Sequence, residues 1–181
     1  MAENGISPED VVFVAHSTTQ TTNAFIEGDV APVGVIGVAG GGLEGFLAKP
    51  QLTLKDIILD EKVGRKIPVY NEFIKKKQLN DDTITAAVKS LVGKGAKVIV
   101  ASMAFGVDDM SVEMKIHDIA EQQGLPVSMA SDITKLYGLT RRTRTAAINA
   151  SILPKMMATA NATESTVREA GVTVPLMIMR G

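Results

Sequence analysis

Short runs of apolar residues alternate with amphipathic periods along the chain. "VVFVA" (11–15), "VGVIGV" (33–38), "KVIVASMAF" (97–105), "PVSMA" (126–130) and "PLMIM" (175–179) are apolar on successive positions, the pattern of strands covered on both faces. Between them, "DDTITAAVKSLVGKG" sets Ile84, Ala87, Val88, Leu91 and Val92 on one helical stripe. Asp81 or Asp82 is placed to cap that helix and Gly93 or Gly95 to stop it. Residues 111–123 repeat the design, with Ser111 as cap, Val112, Ile116, Ile119 and Ala120 on one face, and Gly124 just beyond. Strand, helix, strand in succession predicts an α/β fold with a mixed, mainly parallel sheet and helices on both faces. Within it, residues 97–130 are expected to form one strand–helix–strand unit, with strands at 98–104 and 126–130 parallel.

Two stretches break the rhythm. From Ala39 to Pro68, beginning "AGGGLEG", the period is lost, which predicts an irregular insertion over 39–68 carrying a strand or a short helix. From Thr140 to Glu164 a helical stripe of Ala146, Ala150, Leu153, Met157 and Ala160 runs past Pro154. Pro154 cannot donate to the carbonyl of Ala150, so a kink or two abutting helices is expected there. Met156 and Met157 on this stripe suit either a core or a surface against a partner subunit.

Composition narrows the function classes. A chain of 181 residues with 45 % hydrophobic content is expected to close one core, a single α/β domain over 1–181. Its 19 basic and 20 acidic residues give no broad basic field, so neither nucleic acid nor anionic membrane is expected as a partner. With no cysteine and only His16 and His117, no metal site is expected. The start "MAENGISPED" has no basic segment leading an apolar core, and no apolar run approaches the roughly 18 residues of a membrane span. The expectation is a soluble cytoplasmic protein.

The densest candidate chemistry lies in "VAHSTTQTTNAF" (14–25), where five hydroxyls, two amides and a histidine follow a strand-forming run. A strand ending near Ala15 and a helix starting among Thr18 to Thr22 put these groups at the carboxyl edge of the sheet, where open α/β folds hold ligands. Free N–H groups at such a helix start favour an anion such as phosphate. On spacing alone, plain capping by Ser17, Thr18 and Thr19 is the commoner role of such residues. The glycines at 40–42 read as a flexible turn rather than a phosphate loop, because no Lys-Ser/Thr and no clear helix follow.

"VAHSTTQTTNAFIEGDVAPVGVIG" resembles a segment of the hydantoinase/oxoprolinase family that commonly reads His-Gly-Thr-Thr-x-x-Thr-Asn-Ala-Leu-Leu before an apolar strand. His16, Thr18, Thr19, Thr22, Asn23 and Ala24 match it, with Ser17 for the usual glycine and Phe25 for leucine. "SDITKLYGLTRRTRTAAINASILPKM" is similar to the family's Ser-x-Glu-Ile segment and its Glu-Arg-Thr-x-Thr, Asn-Ala and Pro run. Ser131, Ile133, Arg142, Thr143, Thr145, Asn149, Ala150 and Pro154 match, while Asp132 stands for the glutamate and Arg141 where an acid is usual.

The resemblance implies part of the actin, sugar-kinase and chaperone ATPase (ribonuclease H-like) architecture, in which two glycine-rich phosphate loops grip ATP and Mg²⁺. The first, Asp-x-Gly-Gly-Thr, is expected upstream of His16 and the second, Asp-Gly-Gly, after the strand that ends "LMIMRG". The chain is thus expected to be part of a longer enzyme, inactive alone and holding no cofactor itself. The family's chemistry implies ATP-dependent opening of a cyclic amide such as hydantoin or 5-oxoproline, with ketone carboxylation in relatives. His16, Thr18, Thr19 and Asn23 then become candidates for substrate or phosphate contacts. Arg142 is a candidate carboxylate or phosphate partner, or else a helix-surface cation. A homo-oligomer or a hydantoinase B-type partner subunit is also implied. A regulatory or assembly module without catalysis is the alternative.

Overall fold

The computed structural model describes residues 7–18 and 20–180, and the side chains of 17, 18, 20, 21 and 178–180 lie outside that description. Contacts divide the chain into two compact units, Met1–Asp29 with Lys155–Gly181, and Val30–Pro154.

In the second unit a fully parallel four-stranded sheet forms the centre. Its strands are β2 (Val33–Ala39), β5 (Val69–Lys75), β6 (Val98–Met103) and β7 (Val127–Met129), in the order β5-β2-β6-β7. β2 and β6 are buried at every position, which accounts for their unbroken apolar runs. The expected strand–helix–strand unit is present: β6 pairs parallel with β7, Ile99 opposite Val127, joined by α4 (Ser111–Gln122). One face of the sheet packs Ile36, Val38 and Ile99 under Ile84, Val88 and Leu91 of α3 (Asp81–Gly93) and Val112 and Ile116 of α4. On the other, Ala39 and Ala104 meet Ala48 and Leu52 of α2 (Gly42–Leu52) and Leu139 of α6 (Leu139–Glu169). The helices approach closely because the strand offers glycine: a Cβ on Gly34 would stand 3.0 Å from Leu91, and one on Gly37 2.8 Å from Leu52.

Several local expectations change. The strand expected at 11–15 is β1, Val14–Thr18. Asn80, not Asp81 or Asp82, caps α3: its side chain accepts from the Thr83 amide at 2.8 Å while the Thr83 hydroxyl accepts from the Asn80 amide at 3.0 Å. Ser111 does not cap α4. Met110 holds the cap position without a side-chain bond, and Asp109 accepts the Ser111 amide at 2.9 Å. The 39–68 stretch carries α2 and an antiparallel pair, β3 (Ile57–Asp60) with β4 (Arg65–Ile67). Its period was obscured because α2 exposes Leu43 and Phe46 on the side opposite its buried Ala48 and Leu52. The glycine run is the start of that helix, with Gly41 as cap and Gly42 at φ +62°. β5, absent from the runs expected as strands, mixes Tyr70, Asn71 and Glu72 with apolar residues. α6 runs through Pro154 as one helix.

In the first unit β1 pairs parallel with β8 (Leu176–Arg180), Val14 opposite Leu176 and His16 opposite Ile178. Helix α1 (Gln20–Glu27) follows β1 directly and buries Ala24. Gly171 turns the chain out of α6 at φ +80°, and Arg168 donates to the carbonyls of Val172 and Val174 at 3.1 and 3.0 Å, leading it into β8.

Candidate functional site

Because β1 and β8 are parallel, their carboxyl ends share one edge, Thr18 beside Arg180. β1 ends there at Thr18, and α1 begins at Gln20. His16 lies two residues before the strand ends. Its Nε2 is buried and has no hydrogen-bond partner among the described residues. A buried ring nitrogen without a partner costs free energy unless a ligand or water satisfies it. Thr22 and Asn23 are exposed on the first turns of α1. Thr18 closes the strand, with its side chain outside the description, and Thr19, the residue directly before α1, lies outside the described residues altogether. Its choice between capping and ligand contact therefore rests on the motif alone.

Arg142 belongs to the second unit and is not the surface cation that "RRTR" suggested: it is 1 % exposed. Its Nη1 donates to the Leu136 carbonyl at 2.8 Å and its Nη2 to the Met103 carbonyl at 2.7 Å. Burial pushes the guanidinium pKa down, while the carboxylates of Glu113 and Asp108 oppose that shift. Nε has no partner among the described residues.

Sequence reasoning missed the acid that faces the same strand end. Glu113, fully buried on α4, accepts the Met103 amide and the Ser131 hydroxyl at Oε1 and the Ser131 amide at Oε2, each at 2.9 Å. Met103, the last residue of β6, is thereby held by Glu113 at its N–H and by Arg142 at its C=O. The signal in the sequence was an acid inside the apolar face of α4, between Val112 and Ile116.

The loop fixed by this network is strained. Phe105 takes φ +60° and is 64 % exposed, a conformation costly for a bulky side chain. Gly106 follows where a Cβ would stand 2.6 Å from Glu113 and 2.7 Å from the Ser131 hydroxyl. The chain leaves β2 toward β5 on one side and leaves β6 toward β7 on the other, which makes the gap between their carboxyl ends a topological switch point. A crevice of about 220 Å³ opens there, lined by Gly40, Glu44, Lys76, Phe105, Asp108 and Asp109. Its carboxylates are already engaged. Glu44 accepts the Gly40 amide at 2.9 Å and Asp108 accepts the Tyr137 hydroxyl at 2.8 Å. Bonds from Ser111 hold the Asp109 carboxyl below its usual range. Among the described residues, no group of three acids or histidines could hold a metal ion, and no helix is long and apolar enough to cross a membrane.

The comparisons with known proteins agree with this architecture. The hydantoinase/oxoprolinase N-terminal region matches residues 1–124. An ATP-dependent caprolactamase from Pseudomonas jessenii is similar in structure, with TM-score 0.63 at 18 % identity over 94 % of this chain and 27 % of that one. A nucleotide-free acetone carboxylase, an enzyme of ATP-dependent acetone carboxylation, superposes with TM-score 0.59 at 19 % identity, covering 98 % of this chain and 29 % of its own. The chain thus spans less than a third of either relative's length. No curated protein matches it in sequence.

Proposed function

The chain belongs to the hydantoinase/oxoprolinase family, and from that premise we propose that it is part of an enzyme that opens a cyclic amide, hydantoin or a 5-oxoproline-like ring, at the expense of ATP. One observation carries the site assignment: the Nε2 of His16, buried and without a hydrogen-bond partner among the described residues, near the shared carboxyl edge of β1 and β8. A phosphoryl or amide oxygen placed there accepts from that nitrogen when it is protonated. Thr18 at the end of β1 and Asn23 on α1 add hydroxyl and amide contacts, Thr19 joins them on its place in the motif, and free amides at the start of α1 favour negative charge. ATP, when bound to the whole enzyme, supplies a phosphoryl group that turns a poorly reactive carbonyl oxygen into a leaving group. The parts assigned to this chain are to orient the substrate or phosphate and to hold a proton at His16. Arg142 has a positioning part within its own unit, holding the end of β6.

Ketone carboxylation is the second reading, favoured by the similarity to acetone carboxylase. The two are separated by following ADP release from the intact enzyme that carries this chain. Hydantoin or 5-oxoproline is expected to stimulate it, and stimulation by acetone with bicarbonate alone would replace the hydrolase reading with the carboxylase one. His16→Ala is expected to remove most of the stimulated rate, and an unchanged rate would remove His16 from the site. The chain in isolation is expected to be inactive, and its partner in the whole enzyme to be a second copy or a hydantoinase B-type subunit.

A further inference from the structure

The open side of β5 carries chemistry that the proposed reaction does not use. β5 is an edge strand whose sheet neighbour is β2. Successive residues of a strand point their main-chain groups to opposite sides. The Val33 amide donates to the Pro68 carbonyl at 2.9 Å, so Tyr70, Glu72 and Ile74 direct theirs toward β2, while Val69, Asn71, Phe73 and Lys75 direct theirs away. At the amino half of this outer edge the Val69 amide donates to Asp56 at 3.0 Å, and the Leu54 main chain is held against it by two bonds with the Asn71 side chain at 2.9 and 2.8 Å. The carboxyl half has no such cover among the described residues. Among the described residues, no main-chain group bonds Phe73 or Lys75 on that side.

A groove of about 610 Å³ lies alongside, between Phe73 and Ile74 of β5 and Thr83, Ala86, Ala87 and Ser90 of α3. Its far wall is anchored, because Ser90 of α3 donates to Glu72 of β5 at 2.7 Å and Lys94 pairs with the same carboxylate. An added strand would run about 4.8 Å from β5, and the small side chains of Ala86 and Ala87 leave it room beside α3. Exposed Lys75, Lys76 and Lys77 follow the open edge directly, so the segment that best fits carries carboxylates at that end.

We propose that the open edge of β5 and the flank of α3 form a groove for an acidic, extended segment of a partner polypeptide, bound by strand addition. Lysines beside an edge also serve to keep other chains away, and the experiment separates the two roles. Amide hydrogen exchange is measured on the chain with two synthetic peptides of alternating valine and threonine, one ended by aspartates and one by lysines. The aspartate-ended peptide is expected to slow exchange at Phe73 and Lys75 by about tenfold or more and to bind at least about tenfold more tightly than the lysine-ended one. Ala86→Arg, an exposed position whose new side chain fills the groove, is expected to abolish the effect while β6 amides keep their protection. Phe73→Pro, which removes one outward donor but no bond to β2, is expected to weaken it. The proposal is overturned by unchanged exchange at millimolar peptide, by equal binding of both peptides, or by binding that survives Ala86→Arg. Concentration-dependent protection of the same amides without peptide would overturn it in favour of self-pairing.

Discussion

Glu113 and Arg142 show how two charged side chains come to lie inside an apolar framework. Among the described residues neither forms a direct ion pair. Glu113 accepts from the Met103 amide at the end of β6 and from the amide and hydroxyl of Ser131 at the start of α5 (Ala130–Ile133), while Arg142 donates to the carbonyls of Met103 and of Leu136, which follows α5. The cost of burying such groups is met only while every partner stays in place. Glu113→Ala strands two buried amides and leaves Arg142 without its compensating charge, so a loss of about 3 kcal/mol or more is expected. Urea denaturation followed by circular dichroism measures it, and a loss below about 1 kcal/mol would mean that water replaces the carboxylate. Glu113→Gln keeps the acceptor at one oxygen and is expected to cost less than the alanine variant.

At the scale of elements, the junction of α3 with the edge strand responds to pH. Hydrogen bonding from Lys94 holds the Glu72 carboxyl below the usual glutamate range against the opposing effect of burial, with a lesser contribution from Ser90. A carboxyl whose folded pKa is depressed binds protons more readily in the unfolded chain. Its contribution is therefore fully present above the unfolded value of about 4.3 and is lost as pH falls through the lower folded value. Stability of the wild-type chain is expected to decline in that acid window. Glu72→Gln is expected to flatten part of the decline while changing little at pH 7, because the pair is partly exposed and screened. Chemical denaturation at pH 3, 4, 5 and 7 checks this, and parallel wild-type and variant curves would exclude Glu72 as a contributor. The same elements show which signals a sequence carries. α3 and α4 were readable because one face of each is apolar at helical spacing. β5 was not, since an edge strand half-open to solvent keeps Asn71 and Glu72 among its apolar residues, and α2 was hidden by apolar residues on both its sides.

For the whole molecule, the expectation concerns nucleotide. What the described residues offer an anion in the first unit is a helix start with hydroxyls and one buried histidine nitrogen, worth about 1 kcal/mol or a little more from the dipole and amides. Binding of MgATP by the chain alone is then expected to be no better than about millimolar, and its thermal midpoint nearly unchanged by nucleotide at tens of micromolar. A complete site, at 100 times its dissociation constant, would add about 2.7 kcal/mol and raise the midpoint by roughly 5 to 11 °C for a chain of this size. A rise of that size would show that the chain carries a whole nucleotide site.

By itself the sequence determined the class of the fold and the family. Runs buried on both faces and stripes at helical spacing are local consequences of the strand and helix repeats, and the His16-to-Ala24 and Ser131-to-Pro154 blocks are legible as residues in order. Only the tertiary structure decided which groups meet. That β8 returns beside β1, bringing Arg180 to the level of Thr18, was implied by the order of the family's motifs around one nucleotide, and no local pattern encodes it because the paired strands lie more than 150 residues apart. That Arg142 is interior rather than on a helix surface, and that Glu113 of another helix holds the same residue of β6, follows from helix packing against a sheet. There a charged side chain is stable only where distant main-chain groups happen to converge on it.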